Sequence, residues 1–217
     1  MADAARSLRP ESLHAANKPY HHGDLQNALV DAAQTILERE GPAALSLRAV
    51  AREAGVSPAA PYHHFKDKAE LLDAVAQEGW DIVSAQMAAA KAGSTGLHQL
   101  TALGIAYVCF ARDNPALYRV MYDATRDRES LPEGMEKDKD SAYCMVRDTM
   151  IEHGADPTQE THLELATIAA WCGAHGLAEM GGFKQFEHLK EELGGERQFL
   201  EAVLNHMGLF PNPQHHC

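Results

Sequence analysis

The 217 residues contain no apolar run approaching the ~20 that a membrane-spanning helix needs, so no membrane partner is expected. Arg6 and Arg9 near the start are not followed by an apolar stretch, so no secretory leader is expected either. Cysteine is sparse. Its four positions, Cys109, Cys144, Cys172 and Cys217, show no paired spacing, and three lie in apolar, helix-like stretches. That pattern implies reduced thiols in a cytoplasm rather than a disulfide framework. Segments alternating with the two-residue period of a strand are missing, which implies an all-α chain. Also missing are a Gly-rich phosphate loop after a strand, a Ser-His-Asp order and carboxylates paired in a pocket context. No enzyme activity and no cofactor are therefore expected. Positive charge is short as well: the net charge of -12 excludes a protein that coats nucleic acid with a uniform field.

The charge is unevenly spread. Through Trp80 there are 8 Lys and Arg against 11 Asp and Glu, and beyond it 11 against 20. A nucleic-acid reader in the first third would rely on a few placed cations and turn the acidic remainder away from phosphate.

Leu25, Leu29, Ala32, Ala33, Ile36 and Leu37 repeat at helical spacing, and Gly41-Pro42 stops that helix. Ser46 suits the cap of a short second helix with Leu47, Val50, Ala51 and Ala54 on one face. Gly55 falls where a left-handed residue closes such a helix. Ser57 and Pro58 then suit the start of a third helix ending near Phe65. Asp67 and Glu70 are spaced as a capping box before a long helix with Leu71, Val75, Ile82 and Val83. Five more helices follow: one around Leu100 to Phe110, one from Asn114-Pro115, one around Tyr143 to Ile151, one from Asp156-Pro157 to Gly181-Gly182, and one around Phe199 to Met207. A polar linker separates the last two. The organisation expected is a flexible arm over 1–19, a three-helix domain over 20–68, a helical bundle over 69–210 and a flexible tail over 211–217.

The run SLRAVAREAGVSPAAPYHHFKDK, Ser46 to Lys68, is two short helices joined by a Gly-containing turn, the pattern of a helix-turn-helix. Small Ala51 and Ala54 allow close helix approach, and Val56 fills the angle between them. The N-terminal end of the second helix is the part that reaches base edges in the major groove.

With Tyr62, Phe65 and Lys68 in that order, the stretch from about Tyr20 to Leu72 resembles the DNA-binding domain of the TetR/AcrR family. The opening YHHGDL and the later WCGAHG (Trp171, His175, Gly176) resemble the branch whose C-terminal domain carries a Trp-His-Gly signature. The resemblance implies an N-terminal helix-turn-helix followed by a helical ligand-binding and dimerisation domain. It implies a repressor that binds palindromic operator DNA as a homodimer through its last two helices and is released by a small, largely apolar effector. It also implies DNA contacts at Lys18, Ser46, Arg48, Ser57, Ala59, Tyr62, His63 and Lys68. Pro58, Ala59, Ala60 and Pro61 depart from the polar residues of many relatives, which favours readout through thymine methyls and DNA shape.

Candidate pocket residues are Tyr107, Phe110, Tyr118, Met121, Tyr143, Trp171 and His175. Such stripes also serve as plain core. Trp171 and His175, four apart, share one helix face. Cys172, His175 and Glu179 are spaced to face one cavity, and spacing alone leaves a metal there open. A helical scaffold that binds protein instead of DNA is the competing class. Salt distinguishes them, because phosphate binding weakens steeply as salt rises.

Overall fold

The computed structural model describes residues 22–123 and 141–207, with side chains from Leu25 onward. Lys18, the arm over 1–19 and the tail over 211–217 lie outside the described residues. Among those described, every regular element is helical. The α-helices are α1 (His22–Glu40), α2 (Leu47–Glu53), α3 (Lys68–Ala92), α4 (His98–Asp113), α5 (Pro115–Asp123), α6 (Ala142–Glu152), α7 (Glu160–Met180), α8 (Glu187–Leu193) and α9 (Glu196–His206).

α1 buries Leu29, Ala33, Ile36 and Leu37, the stripe its spacing predicts, and turns out through Gly41 at φ +79°. Ser46 caps α2, its side chain accepting from the Ala49 N–H at 3.1 Å. α2 closes with paired bonds, Val56 N–H to Ala51 C=O at 2.9 Å and Gly55 N–H to Arg52 C=O at 3.2 Å. That geometry needs the left-handed φ of +69° at Gly55. The start of α3 is fixed from both directions: Asp67 accepts from the Glu70 N–H, and the Glu70 carboxylate from the Lys66 N–H.

The third helix is not an α-helix. Ala60–His63 forms one 3-10 turn instead. Pro61 has no N–H to give the Ser57 carbonyl, and it disfavours α geometry at Ala60. Three of the bonds that form span three residues, Ala60 N–H to Ser57 C=O, Tyr62 N–H to Ala59 C=O and His64 N–H to Pro61 C=O, and the segment ends on one that spans four, Phe65 N–H to Pro61 C=O at 2.8 Å. Two further boundaries differ. α7 begins at Glu160 because the Asp156 carboxylate accepts from Thr158 N–H and from Thr158 and Gln159 side chains, holding a turn. The polar linker before α9 contains α8, whose Leu189 and Leu193 share a face and whose end is Gly194 at φ +94°.

The bundle is organised around α3 and α4. α3 packs on α4 and α5, and α4 also on α7 and α9. α4 is buried almost all round, with Leu100, Leu103, Tyr107 and Phe110 at 2% exposure or less. α5 touches α1 as well as α3, so it joins the bundle to the first helices. At its closest approach to α3, a Cβ added at Gly79 would lie 2.6 Å from Met121 Sδ.

Candidate functional site: a nucleic-acid interface and a buried polar cluster

The outer face of α2 and the 3-10 turn carries most of the expected DNA contacts. Ser46, Arg48, Ser57, Ala59, Tyr62, His63 and Lys68 are all exposed. Tyr62 is 54% exposed, far more than a packing residue would be. Because Ser46 caps with its oxygen as acceptor, its hydroxyl hydrogen stays available to a phosphate. The nearby Arg39 is held by Glu40 at 2.7 Å and Glu53 at 2.8 Å. This contact holds the Glu53 carboxyl below the usual carboxylate range. Arg48 makes no ion pair among the described residues. Its charge on the exposed face of α2 is therefore unpaired there, while that of Arg39 is neutralised. Lys68 reaches back to donate to the Pro42 carbonyl at 2.8 Å, which ties the start of α3 to the end of α1. An ammonium has two further N–H groups to offer.

The second constellation lies inside the bundle. From α4, Tyr107 hydrogen-bonds the Tyr122 hydroxyl of α5 and lies 3.0 Å from Nδ1 of His175 on α7. The Tyr118 hydroxyl of α5 lies 2.7 Å from the same Nδ1. Three helices thus meet at one imidazole nitrogen. Trp171, one turn before His175, places its ring 5.1 Å from Tyr107 and 6.2 Å from Trp80 of α3, tilted against both. Its indole N–H is buried and has no hydrogen-bond partner among the described residues. Burial disfavours the phenolates: Tyr107 and Tyr118 are pushed well above the ordinary tyrosine range and Tyr122 up to about 12. Burial also lowers the His175 imidazole, with Glu179 pulling weakly the other way. The cluster is therefore neutral near pH 7, a polar knot of hydroxyls and one uncharged ring within an apolar core.

Of the seven residues expected to line a pocket, the structure brings together Tyr107, Tyr118, Trp171 and His175. Tyr143 sits at the margin, 6.5 Å from Trp171 between ring centres. Met121 is fully buried against Gly79 at the α3–α5 contact, and Phe110 belongs to the core of α4. Tyr122 and Trp80 were missed by sequence reasoning. Tyr122 had a usable signal, since it follows Tyr118 by four residues and shares its helix face. Trp80 had none beyond its place in a helix. Cys172, His175 and Glu179 do not assemble. Among the described residues no group of three or more His, Cys, Asp or Glu side chains is placed to hold a metal ion. Cys172 instead points outward, and the Nδ1 of His175 is taken up by the two tyrosines.

The centre of the bundle is packed rather than hollow. A cavity of about 20 Å³ lies between Trp171, Tyr107, Leu103 and Ala174. A larger hollow of about 200 Å³ opens to the outside at Tyr118, Glu179, Arg112 and Arg119. On the far side of α7, an apolar groove of about 480 Å³ runs along Cys172, Gly176, Met180, Leu189, Val203 and Met207.

A helix-turn-helix carried on a helical bundle defines a class of DNA-binding regulators. Residues 29–75 match the bacterial regulatory proteins of the tetR family. Residues 100–207, which include Trp171, His175 and Gly176, match the tetracyclin repressor-like C-terminal domain. The chain belongs to the TetR family of transcriptional regulators, a family of DNA-binding proteins and not of enzymes. It is 28% identical over 184 residues to YobS, an uncharacterized HTH-type transcriptional regulator of Bacillus subtilis (strain 168), covering 84% of this chain and 94% of that one. A solved structure of a protein of unknown function from Rhodococcus sp. RHA1 matches with a TM-score of 0.65 and 27% identity, over 88% of this chain and 97% of the other. The fold is shared with a TetR-family regulator from Haemophilus influenzae RD at a TM-score of 0.60 and 19% identity, over 85% and 94% of the two chains. No helix among the described residues is long and apolar enough to cross a membrane.

Proposed function

We propose that the protein is a homodimeric repressor that binds an inverted-repeat operator and releases it when a small, largely apolar effector enters the cluster around His175. The observation that carries this reading is the double duty of α5. Tyr118 and Tyr122 on this helix belong to the cluster with His175. Ala116, Arg119 and Val120 of the same helix line an apolar cleft of about 350 Å³ with Leu37, Gly41, Pro42 and Leu72 of α1, its following turn and α3. An effector too large for the small central cavity has to part the rings. Parting them separates Tyr118 from His175 and shifts α5 against α1. The two recognition turns then change their spacing, and the ligand favours the geometry that no longer fits DNA.

The dimer is supported by the outer face of α7 and α9. Leu165, Ile168 and Met180 on α7 and Met207 after α9 are 36% to 61% exposed, apolar side chains that a partner helix pair would cover. A four-helix contact there sets two half-sites about 34–36 Å apart, one turn of DNA. Ser46, Arg48, Tyr62, His63 and Lys68 would grip phosphate and set register, with Lys18 reaching a neighbouring phosphate or the minor groove. Ser57 and Ala59 would face the bases.

The test joins a sedimentation measurement to a release assay. The full chain should sediment as a dimer, and a library of small apolar compounds should contain some that dissociate it from an operator recovered from genomic DNA. A monomer at micromolar concentration would sink the dimer. A compound that binds at the cluster while leaving DNA affinity untouched would sink the release mechanism.

A further inference from the structure

The surface that the recognition turn offers to DNA is short and apolar at its centre. Pro58 and Ala59 are exposed, Ala60 is half-buried and Pro61 is buried. Polar side chains stand only at the two ends, Ser57 before the turn, Tyr62 and His63 at its finish. Within it the Ala60 and Tyr62 N–H groups are spent on the Ser57 and Ala59 carbonyls, at 3.0 and 3.2 Å. The N-terminal part of a recognition element is the part that meets base edges. Here that part has no guanidinium for a guanine and no amide for an adenine, the pairings that give bidentate readout. What it presents is a pyrrolidine ring and a methyl group.

We infer that this turn selects its operator by apolar contact of Pro58 and Ala59 with the C5 methyl groups of thymines in the major groove. Pro61 makes the contact possible in two ways. It favours the 3-10 turn before which Pro58 and Ala59 stand exposed, and its own burial anchors that turn to the domain. Exposed Arg48 of α2 supplies attraction to the backbone, which holds the apolar residues in the groove without choosing the sequence. The inference rests on DNA binding by the helix-turn-helix; it needs neither an effector nor a dimer.

Uracil tests it cleanly, because deoxyuridine keeps every hydrogen-bonding edge of thymidine and lacks only the methyl. The full-length protein is used to select bound duplexes from a random pool. Each thymine of the selected half-site is then replaced singly by deoxyuridine, and affinity is measured at fixed salt. The expected result is one or two thymines per half-site at which the replacement weakens binding about four-fold, the loss of one buried methyl. At the thymine served by residue 59, the replacement should cost nothing further in Ala59→Gly, since the partner methyl is already gone. Ala59 has ordinary helical dihedrals (φ -85°, ψ -22°), which glycine also adopts, and the deoxyuridine series on the unaltered protein stands whether or not the variant folds. Replacement without effect at every thymine overturns the inference, as does a pool that enriches no sequence or fixes only G·C pairs. A pool enriched in single half-sites rather than inverted repeats would leave it standing and remove the dimeric operator instead.

Discussion

Nδ1 of His175 on α7 lies 2.7 Å from the Tyr118 hydroxyl on α5, and this bond joins the helix with the exposed apolar face to the helix that rests on α1. Tyr107 of α4 competes for the same nitrogen at 3.0 Å. A neutral imidazole nitrogen has one lone pair, so the two phenols cannot both donate to it at full strength. The proposed effector response would draw on that shared nitrogen, since a shift of α5 changes which phenol holds it.

Loss of the Tyr107 hydroxyl should cost more than loss of the Tyr118 hydroxyl. Tyr107 is 2% exposed and bonds both Tyr122 and His175, so Tyr107→Phe leaves two partners to rearrange in the core. A destabilisation of about 1–3 kcal/mol is expected for Tyr107→Phe and about 1 kcal/mol for Tyr118→Phe, read from urea unfolding. The reverse order would show that Tyr118 holds the knot.

The pH dependence follows from the lowered imidazole. The folded-state value of His175 lies below its unfolded value, so its contribution is fully present above about pH 6.5 and is lost as pH falls through the folded-state value. Thermal melts of the wild type should lose stability between pH 7 and pH 5 faster than those of His175→Gln, which has no proton to take up. Parallel curves for the two proteins would remove His175 from the account.

Gly79→Ala should wedge α3 from α5. Its Cβ would meet Met121 Sδ at 2.6 Å and Cγ at 2.7 Å, and Met121 is fully buried, so its side chain has to shift within the core. Overpacking of this kind costs about 1–3 kcal/mol. Adding Met121→Ala should recover part of that cost, and a double-mutant cycle by denaturant unfolding measures it.

Arg48→Ala and Lys68→Ala should each weaken binding to all duplexes alike and lower the salt slope by about one charge. They should differ in stability. Lys68 also ties Pro42 to α3 through a 2.8 Å hydrogen bond, so Lys68→Ala should lower the melting temperature while Arg48→Ala leaves it unchanged. Unchanged affinity in either variant would remove that residue from the phosphate contacts.

The helical plan was largely legible because it rests on local rules. The apolar stripe of α1, the Ser46 cap, the left-handed Gly55 and the Asp67–Glu70 start all stand where their chemistry puts them. The recognition segment was misread because Pro58 at its start suits a helix, and the effect of Pro61, three residues on, outweighs it. α8 was missed because its short run of charged residues lacks the length that makes a period visible. The cluster around His175 was half legible. Trp171 and His175 are neighbours on one helix, but which tyrosines meet them depends on how α4, α5 and α7 cross, and no local pattern encodes that. The same packing moved Phe110 and Met121 out of the cluster and brought Trp80 in from α3.

Under the proposed function the chain grips operator DNA as a dimer through the turn at Ser57–His63. The most direct measurement is recovery of bound fragments from sheared genomic DNA over a series of salt concentrations. The expected result is enrichment of one short inverted repeat with half-sites one helical turn apart, and binding that falls steeply with salt. Binding that ignores salt, or recovers fragments with no common repeat, would contradict it.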